Sequence, residues 1–167
     1  MAYKKKSWQE KCADKEGLPK VLKLQKKFPC FNAVHKMGAE AGDNVVLVNP
    51  SEVIEIMKQV PKGKILTLED ICKTLARNHH VQACCSLTTG IFVMTAANAA
   101  EEAAQEGKTL NIPYWRTVKV DGSLNEKYPD GINAQKAKLE QEGFTVDKKG
   151  KKFFVRDFEK HRVKINS

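Results

Sequence analysis

The residues with the clearest capacity for chemistry lie in one short stretch, Pro113-Tyr114-Trp115-Arg116. The proline fixes its own φ and favours an extended backbone at the two residues before it, Asn111 and Ile112. Residues 117–120 are then predicted to form a short strand that closes at an Asp-Gly turn. A phenol and an indole beside a guanidinium could form a binding floor. They could equally be core side chains, with Arg116 reaching to the surface.

A second group of candidate residues is the pair His79-His80 together with Cys84-Cys85. These residue types suit zinc, but their spacing fits no common ligand pattern, and adjacent residues rarely coordinate one ion well. We therefore expect no metal and no cofactor, with the thiols buried and the histidines in an exposed loop. Cys85 remains an alternative nucleophile, because the start of a helix lowers the pKa of a thiol.

The formal net charge of +9 is concentrated at the two ends of the chain. Residues 1–28 carry nine lysines against three acidic residues, a net charge of +6, and residues 144–167 carry eight basic against three acidic residues, a net charge of +5. Residues 29–143 are left with −2. Basic segments attract polyanions, so we expect nucleic acid or an anionic surface as the partner. A solvated basic surface without a partner is the alternative.

The five cysteines are odd in number and include no Cys-x-x-Cys, which is typical of free thiols in a reducing compartment. No apolar run approaches the ~20 residues of a membrane span. Lys4, Lys5 and Lys6 are not followed by the apolar segment that a signal peptide requires. We expect a cytoplasmic monomer that makes no use of a membrane.

The pattern of apolar residues and caps predicts a mainly α structure with small β elements, of the α+β class. Residues 1–44 are interpreted as a basic N-terminal extension, with a short helix capped at Ser7, that packs loosely. Residues 45–143 are interpreted as the main domain, in which the order of helices fits a helix-turn-helix module. Its expected helix starts are Asn49-Pro50, Thr67, the interval 86–88 and Ile132.

The C-terminal residues 144–167 predict a basic β-hairpin and tail packed on the same domain. Segments 144–146 and 153–155 alternate around a polar turn, residues 147–152, that contains a glycine. Lysines at such a tip could contact phosphates, although lysines also protect exposed strands from pairing with other chains. The four candidates are Lys148, Lys149, Lys151 and Lys152.

Five short motifs occur in order between Asn49 and Gly143. They are Val60-Pro61-Lys62-Gly63-Lys64-Ile65-Leu66-Thr67, Leu87-Thr88-Thr89-Gly90-Ile91-Phe92, Ile112-Pro113-Tyr114-Trp115-Arg116, Tyr128-Pro129-Asp130-Gly131 and Leu139-Glu140-Gln141-Glu142-Gly143. Together they resemble the DNA-binding, active-site domain of the alkylguanine-DNA alkyltransferases, and also the alkyltransferase-like proteins. The resemblance covers a little over half of the chain. It implies a winged helix-turn-helix fold.

The resemblance also implies that the usual chemistry is lost. In that family the third motif reads Pro-Cys-His-Arg, and the cysteine takes an alkyl group from a flipped guanine after activation through the histidine and a glutamate. Tyr114 and Trp115 occupy those two positions here, and Glu142 retains the carboxylate. We therefore expect no catalytic residue, and we expect the Trp115 Nε1–H to donate to Glu142 in place of the histidine.

By the same resemblance the chain is expected to be a non-enzymatic protein that binds double-stranded DNA, recognises alkylated or damaged guanine, and marks it for a downstream repair protein. Tyr114 would be the aromatic floor of the base pocket, since a stacked base contributes ~1–3 kcal/mol against the cost of flipping. The expected pocket residues are Tyr114, Trp115, Arg116, Tyr128, Glu142 and Leu68. The expected DNA contacts are Ser86, Thr88, Thr89 and the four hairpin lysines.

Two departures from the family bear on this hypothesis. The arginine that fills the space of the flipped base aligns with Ser86, and the pocket tyrosine aligns with Leu68. A hydroxyl cannot hold a duplex open as an arginine can. Two alternatives therefore stand beside DNA reading: a protein-interaction module that uses the acidic, alanine-rich half of the long helix around residues 96–106, and a residual alkyl acceptor at Cys85.

Overall fold

The computed structural model describes residues 4–15 and 17–164; the sequence interpretation of residues 1–3, 16 and 165–167 lies outside the described residues. The described helices are α1 (Trp8–Ala13), α2 (Phe31–Lys36), α3 (Pro50–Lys58), α4 (Leu68–Asn78), α5 (Ser86–Gln105), α6 (Gly131–Gln141) and α7 (Phe158–His161). The strands are β1 (Lys20–Lys23), β2 (Asn44–Leu47), β3 (Leu66–Thr67), β4 (Ala83–Cys84), β5 (Thr117–Val118), β6 (Val146–Lys149) and β7 (Lys152–Val155). The predicted α+β class is confirmed.

The strands form three small sheets that brace the helices. β1 pairs antiparallel with β2, and β2 pairs parallel with β4. β3 and β5 form a parallel pair of two residues each, and β6 with β7 forms the C-terminal hairpin. The main body is therefore helical, with sheets that connect its edges.

The helices begin where the sequence places their caps. Asn49 caps α3 and Thr67 caps α4, each in a capping box with the acidic residue three positions later, and Ser7 caps α1 in the same way. α5 ends at Gln105, two residues before Gly107, which has a φ of +74°. Within residues 4–15 and 17–164, no helix combines the length and the apolar character needed to cross a membrane.

The principal core lies between α3, α4 and α5. Val53, Met57, Ile71 and Ala96 are fully buried there, as the helical spacing predicts. A second cluster joins the C-terminal hairpin to α6 and β5, and Trp115 packs against both clusters. The segment around Trp115 is therefore the connection between the two halves of the core.

The N-terminal segment packs more closely than the sequence suggests. β1 adds a strand to β2, with Val21 opposite Val46, and Leu24, Cys30 and Val34 are buried in a core cluster of their own. The expected loose packing is wrong, because these apolar side chains cover the face of β2 and β4 that carries Val45 and Ala83. The division of the chain at residues 44 and 143 stays a prediction.

The segment that carries Tyr114 differs from the predicted strand. Tyr114–Arg116 form one turn of 3-10 helix, and the strand is limited to Thr117–Val118. Asn111 has a φ of +55° instead of an extended backbone. The strand is short because its partner β3 ends where α4 begins, at Leu68, so no further backbone is available for pairing.

The hairpin is present with a tighter turn than expected. Its strands continue to Lys149 and from Lys152, so that only Gly150 and Lys151 form the turn. At the other end Arg156 donates to both carboxylate oxygens of Asp147, at 2.9 and 2.7 Å. All four predicted lysines are exposed, but three of them belong to strands.

Gly122 gives a stability test of the loop between β5 and α6. It has a φ of +83°, and a Cβ built there would overlap the ring of Phe158. We expect Gly122→Ala to lower the free energy of unfolding by about 2–4 kcal/mol, from backbone strain and overlap together. Gly150→Ala is the matched control, because Gly150 has a φ of +63° and open space around it, so only the backbone cost of ~1 kcal/mol applies. Urea unfolding measures both, and equal losses would contradict the packing of Phe158 against this loop.

Candidate functional site

The 3-10 turn is held to the end of α6 by the carboxylate of Glu142. The Trp115 Nε1–H donates to Glu142 Oε1 at 3.0 Å, as expected from the sequence. Arg116 donates to the same carboxylate through Nε at 3.0 Å and Nη2 at 2.6 Å, and its Nη1 donates to the Val60 carbonyl at 2.7 Å. The Arg116 and Glu142 side chains are only 15% and 9% exposed. The two residues that follow Tyr114 on the turn are therefore both anchored by Glu142.

A buried glutamine on α6 supports the same turn and was not predicted. Gln135 is 1% exposed; its Nε2 donates to the Trp115 carbonyl at 3.1 Å, and its Oε1 accepts from the Asn125 N–H at 2.8 Å. The amide therefore ties the turn to the following loop. A single glutamine in a polar helix resembles a surface residue in sequence, so no local signal identifies it.

Tyr114 is a packed core residue. Its side chain is 2% exposed, its Oη donates to Glu101 Oε1 at 2.6 Å, and its ring makes edge contacts with Trp115 and Tyr128 at centroid distances of 5.5 and 5.2 Å. Burial, followed by the hydrogen bond to Glu101 and the charge of that residue, raises the pKa of Tyr114. The expectation of an open stacking floor is wrong, because the phenol turns inward to a carboxylate partner.

Tyr114 and Tyr128 separate two open cavities. The first, which we call the front cavity, has a volume of about 680 Å³ and is lined by the first half of α5, Leu68 and the loop 117–128. The second, which we call the lysine cavity, has a volume of about 440 Å³ and is lined by the 3-10 turn, the second half of α5, the loop 108–113, Lys58 and Lys138.

The six predicted pocket residues therefore do not share one cavity. Leu68 and Tyr128 line the front cavity, whereas Tyr114, Trp115 and Arg116 line the lysine cavity. The prediction of a single pocket is wrong because the turn directs its three side chains away from the loop that forms the front cavity. Glu142, the sixth predicted residue and the anchor of that turn, lines neither cavity.

The rim of the front cavity is an apolar stripe on α5. Leu87 and Ile91 are 52% and 56% exposed, and Met94 continues the same helical face into the cavity. Val120, 46% exposed, faces them from the loop. The sequence contains this signal, since Leu87 and Ile91 are four residues apart and lie off the face that buries Val93 and its neighbours.

The wall of the front cavity contains a polar group without a partner. Thr117 is 2% exposed, and its Oγ1 is the one buried side-chain N or O atom among the described residues that makes no hydrogen bond. Its carbonyl, by contrast, accepts from Tyr128 Oη at 2.9 Å. Buried polar groups are normally hydrogen-bonded, and Thr117 lines the cavity, so a rotation of its side chain would bring this unpaired hydroxyl to the cavity surface.

The three predicted contacts at the start of α5 have different environments. Thr89 is fully buried, and its Oγ1 donates to the Cys85 carbonyl at 2.8 Å, so the expectation that it touches DNA is wrong. Thr89 lies on the face of α5 that packs on α4, which the sequence alone did not distinguish. Ser86 is 7% exposed and lines the front cavity, and the half-buried Thr88 donates to Cys85 Sγ at 3.4 Å.

The positive charge near the front cavity comes from the loop and the hairpin. α5 contains no lysine or arginine. Lys152 of the hairpin lies 3.4 Å from Asp121 on the cavity rim, and Lys119 pairs with Glu126 at 2.7 Å on the same rim. The basic hairpin is therefore next to the mouth of the cavity, where a polyanion could contact both.

The cysteine and histidine cluster has structural contacts. Cys85 is 5% exposed and precedes α5 as its cap residue, and His79 contacts the carboxylate of Glu52. A hydrogen bond from Cys72 lowers the pKa of the buried Cys84 thiol. Within the described ranges, no group of three His, Cys, Asp or Glu residues could hold a metal ion.

The acidic half of α5 is covered by the N-terminal helix. The Glu102 carboxylate accepts the backbone N–H groups of Trp8 and Gln9 at 3.1 and 3.2 Å, and Gln9 Nε2 reaches both Glu102 and Glu106. A carboxylate at the start of a helix is favourable because unpaired N–H groups point toward it. The part of this surface around Glu102, on which the interaction-module hypothesis depended, is therefore covered by α1, whereas residues 104–106 stay exposed.

The anchor of the turn gives a second stability test. We expect Glu142→Gln to lower the free energy of unfolding by about 2–3 kcal/mol, because the mostly buried Arg116 loses its charged partner. Glu140→Gln is the matched control on the same helix, since Glu140 makes only an exposed pair with Lys136 at 3.6 Å and should change stability little. Chemical denaturation measures both variants. Similar small losses would mean that Glu142 does not hold the turn.

The fold and the sequence were compared with known proteins. Residues 50–144, more than half of the chain, match the family described as 6-O-methylguanine DNA methyltransferase, DNA binding domain. A crystal structure of S. pombe Atl1 in complex with damaged DNA containing O6-carboxymethylguanine is similar, with 18% identity, a TM-score of 0.50, and coverage of 70% of this chain and 94% of that chain. A structure of S. pombe ATL in complex with DNA gives 17% identity, the same coverage and a TM-score of 0.50.

No curated protein matches the chain. The likeness to the two S. pombe structures agrees with the fold, and the family predicted from the five motifs is confirmed. This chain belongs to the family of the 6-O-methylguanine DNA methyltransferase DNA-binding domain.

Proposed function

We propose that this protein binds double-stranded DNA without catalysing alkyl transfer, and that the front cavity receives a base displaced from the duplex, including an alkylated guanine. The observation that carries the proposal is the front cavity itself: about 680 Å³, open beside the first half of α5, with an unused hydroxyl in its wall. Cavities of this size suit a ligand as large as a base with an added group. The two S. pombe structures with bound DNA support the assignment.

Alkyl transfer is disfavoured by the residues at the reaction position. A transfer of this kind needs a thiolate and a neighbouring base. Tyr114 has a raised pKa and donates a hydrogen bond to Glu101, and Trp115 donates a hydrogen bond to Glu142, so neither side chain can take a proton at neutral pH. Cys85 is buried and is not among the residues that line the front cavity, which gives the residual-acceptor alternative no support.

Recognition of the base would depend on apolar contact and on Thr117 instead of on aromatic stacking. Leu87, Ile91 and Met94 offer an apolar surface at the cavity mouth, and the buried Thr117 Oγ1, once its side chain rotates toward the cavity, would donate to or accept from a base edge. The hairpin lysines would contact the phosphates on either side. A downstream repair protein, a monomeric state and a cytoplasmic location stay predictions.

A fluorescence titration with matched duplexes tests the proposal. Duplexes with and without one O6-alkylguanine are titrated at several salt concentrations. If the four hairpin lysines each neutralise one phosphate, the slope of log K against log salt should be about −3 to −4, and Lys149→Ala should make it about one unit less steep. Absence of binding, or binding that does not change with salt, contradicts the proposal.

A variant at the cavity mouth separates base recognition from backbone attraction. Leu87→Ala removes apolar surface that would pack on the displaced base, so we expect about tenfold weaker binding of the alkylated duplex with an unchanged salt slope. Leu22→Ala is the control, since Leu22 is 38% exposed on β1, away from the cavity. Equal losses in the two variants would count against the front cavity as the base site.

Restoring only the nucleophile should not restore the reaction. We expect Tyr114→Cys to show no added alkyl mass after incubation with alkylated duplex, because position 114 lines the lysine cavity instead of the front cavity and Trp115, a donor to Glu142, cannot act as the base. Intact-mass spectrometry measures this, with the unmodified sequence as the parallel sample. A mass gain in the single variant contradicts the assignment of Trp115, and a gain at Cys85 in the parallel sample would support the acceptor alternative.

A further inference from the structure

The lysine cavity is built from four separate parts of the chain. Lys58 at the end of α3, the small side chains of Ala100 and Ala104 on α5, the loop 108–113 and Lys138 on α6 surround a space of about 440 Å³. The two alanines leave room that longer side chains on the same helical face would fill. Its volume lies within the range of small-molecule sites.

The charge of this cavity is positive and incompletely paired. Arg116 is committed to Glu142 and to the Val60 carbonyl, which leaves the ammonium groups of Lys58, Lys108 and Lys138. Among the described residues Lys58 has no carboxylate within ion-pair distance, and Lys108 makes only an exposed pair at 3.5 Å.

The single carboxylate in the lining is Glu101. It accepts from Tyr114 Oη at 2.6 Å and lies 3.9 Å from Lys138. Glu102, one position further along α5, is held by the backbone N–H groups of α1 instead. Three lysines therefore line the cavity beside the one carboxylate of Glu101, and Glu106 outside the lining pairs with Lys108, which leaves a surplus of about one positive charge for a ligand.

The rest of the wall combines the polar residues Thr109 and Asn111 with an apolar surface. Leu110, Ile112 and Pro113 lie along the loop, and the half-buried ring of Trp115 carries Lys138 above it at 5.0 Å from the ring centroid. A bare inorganic ion would leave this surface without contact. A ligand that joins an anionic group to an apolar body would use both parts of the wall.

We propose that the lysine cavity binds a small phosphate monoester with a compact apolar body. Such a group carries about −1.5 to −2 at neutral pH and has three acceptor oxygens, so it can accept hydrogen bonds from more than one of the lysines that line the cavity. The site is distinct from the front cavity, and its occupancy does not depend on the proposed binding of DNA. A carboxylate on the same body would carry half the charge and bind more weakly.

Calorimetric titration of the full chain with phenyl phosphate tests the site. Inorganic phosphate, phenol and benzoate serve as the anionic half, the apolar half and the singly charged analogue, and we expect each to bind more weakly than phenyl phosphate. Lys58→Ala and Lys138→Ala should each weaken phenyl phosphate binding about tenfold, which corresponds to 1.4 kcal/mol. Lys36→Ala, an exposed position on α2 outside the cavity, removes the same charge and should leave the affinity unchanged.

A filling variant separates a cavity from diffuse attraction. Ala104→Leu places a longer apolar side chain at an exposed helical position on the cavity rim, so it should abolish phenyl phosphate binding without lowering the melting temperature. The proposal is overturned by absence of binding to the unmodified chain, by an equal loss in Lys36→Ala, or by full binding in Ala104→Leu.

The outcome can be told apart from that of the DNA proposal. We expect duplex affinity to be the same with and without saturating phenyl phosphate, because the two ligands occupy different cavities. If phenyl phosphate displaced the duplex, the proposal that the lysine cavity is a separate site would be overturned. If the protein bound phenyl phosphate but not DNA, this proposal would be supported and only the proposed function would be contradicted.

Discussion

The shared carboxylate of Glu142 is the interaction on which the arrangement of this protein depends. It accepts the indole N–H of Trp115 and the guanidinium of Arg116, two adjacent residues of one 3-10 turn. A mostly buried ion pair stabilises a fold only when its remaining hydrogen-bonding capacity is also used, and here Arg116 uses a third donor on the Val60 carbonyl. With α6 and the segment after α3 tied to the turn in this way, Tyr114 is directed toward α5, where it lines the lysine cavity and packs against Tyr128, which lines the front cavity.

Features governed by local chemistry could be predicted from the sequence. Each of the capping boxes that begin at Ser7, Asn49 and Thr67 spans only four consecutive residues, and together they determine where three helices start. The contact between Trp115 and Glu142 followed from the family comparison, because a ring N–H at that position can replace another. The fold and the family could be predicted for the same reason, since each of the five motifs that identify them is a short, continuous stretch of sequence.

Features that depend on which face of an element is covered could not be predicted. Thr89 and Leu87 are two residues apart on α5, yet one is fully buried and the other half exposed, and only the position of α4 decides between them. The direction of Tyr114 depends on Glu101, a residue on another helix that the sequence showed only as one charge in an acidic run. The acidic run was expected to be a free partner surface, but part of it instead binds α1, whose backbone N–H groups donate to Glu102.

The packing of Tyr114 has an evolutionary consequence. A residue that performs a reaction must keep part of its side chain unsatisfied, and proteins accept reduced stability at such positions. Tyr114 is instead fully enclosed, with its hydroxyl paired and its ring in contact with two aromatic neighbours. The packing of Tyr114 is therefore that of a residue that contributes to stability. The positions at which stability and binding conflict are instead Thr117, Leu87 and Ile91, where an unpaired hydroxyl and exposed apolar surface lower the stability of the fold.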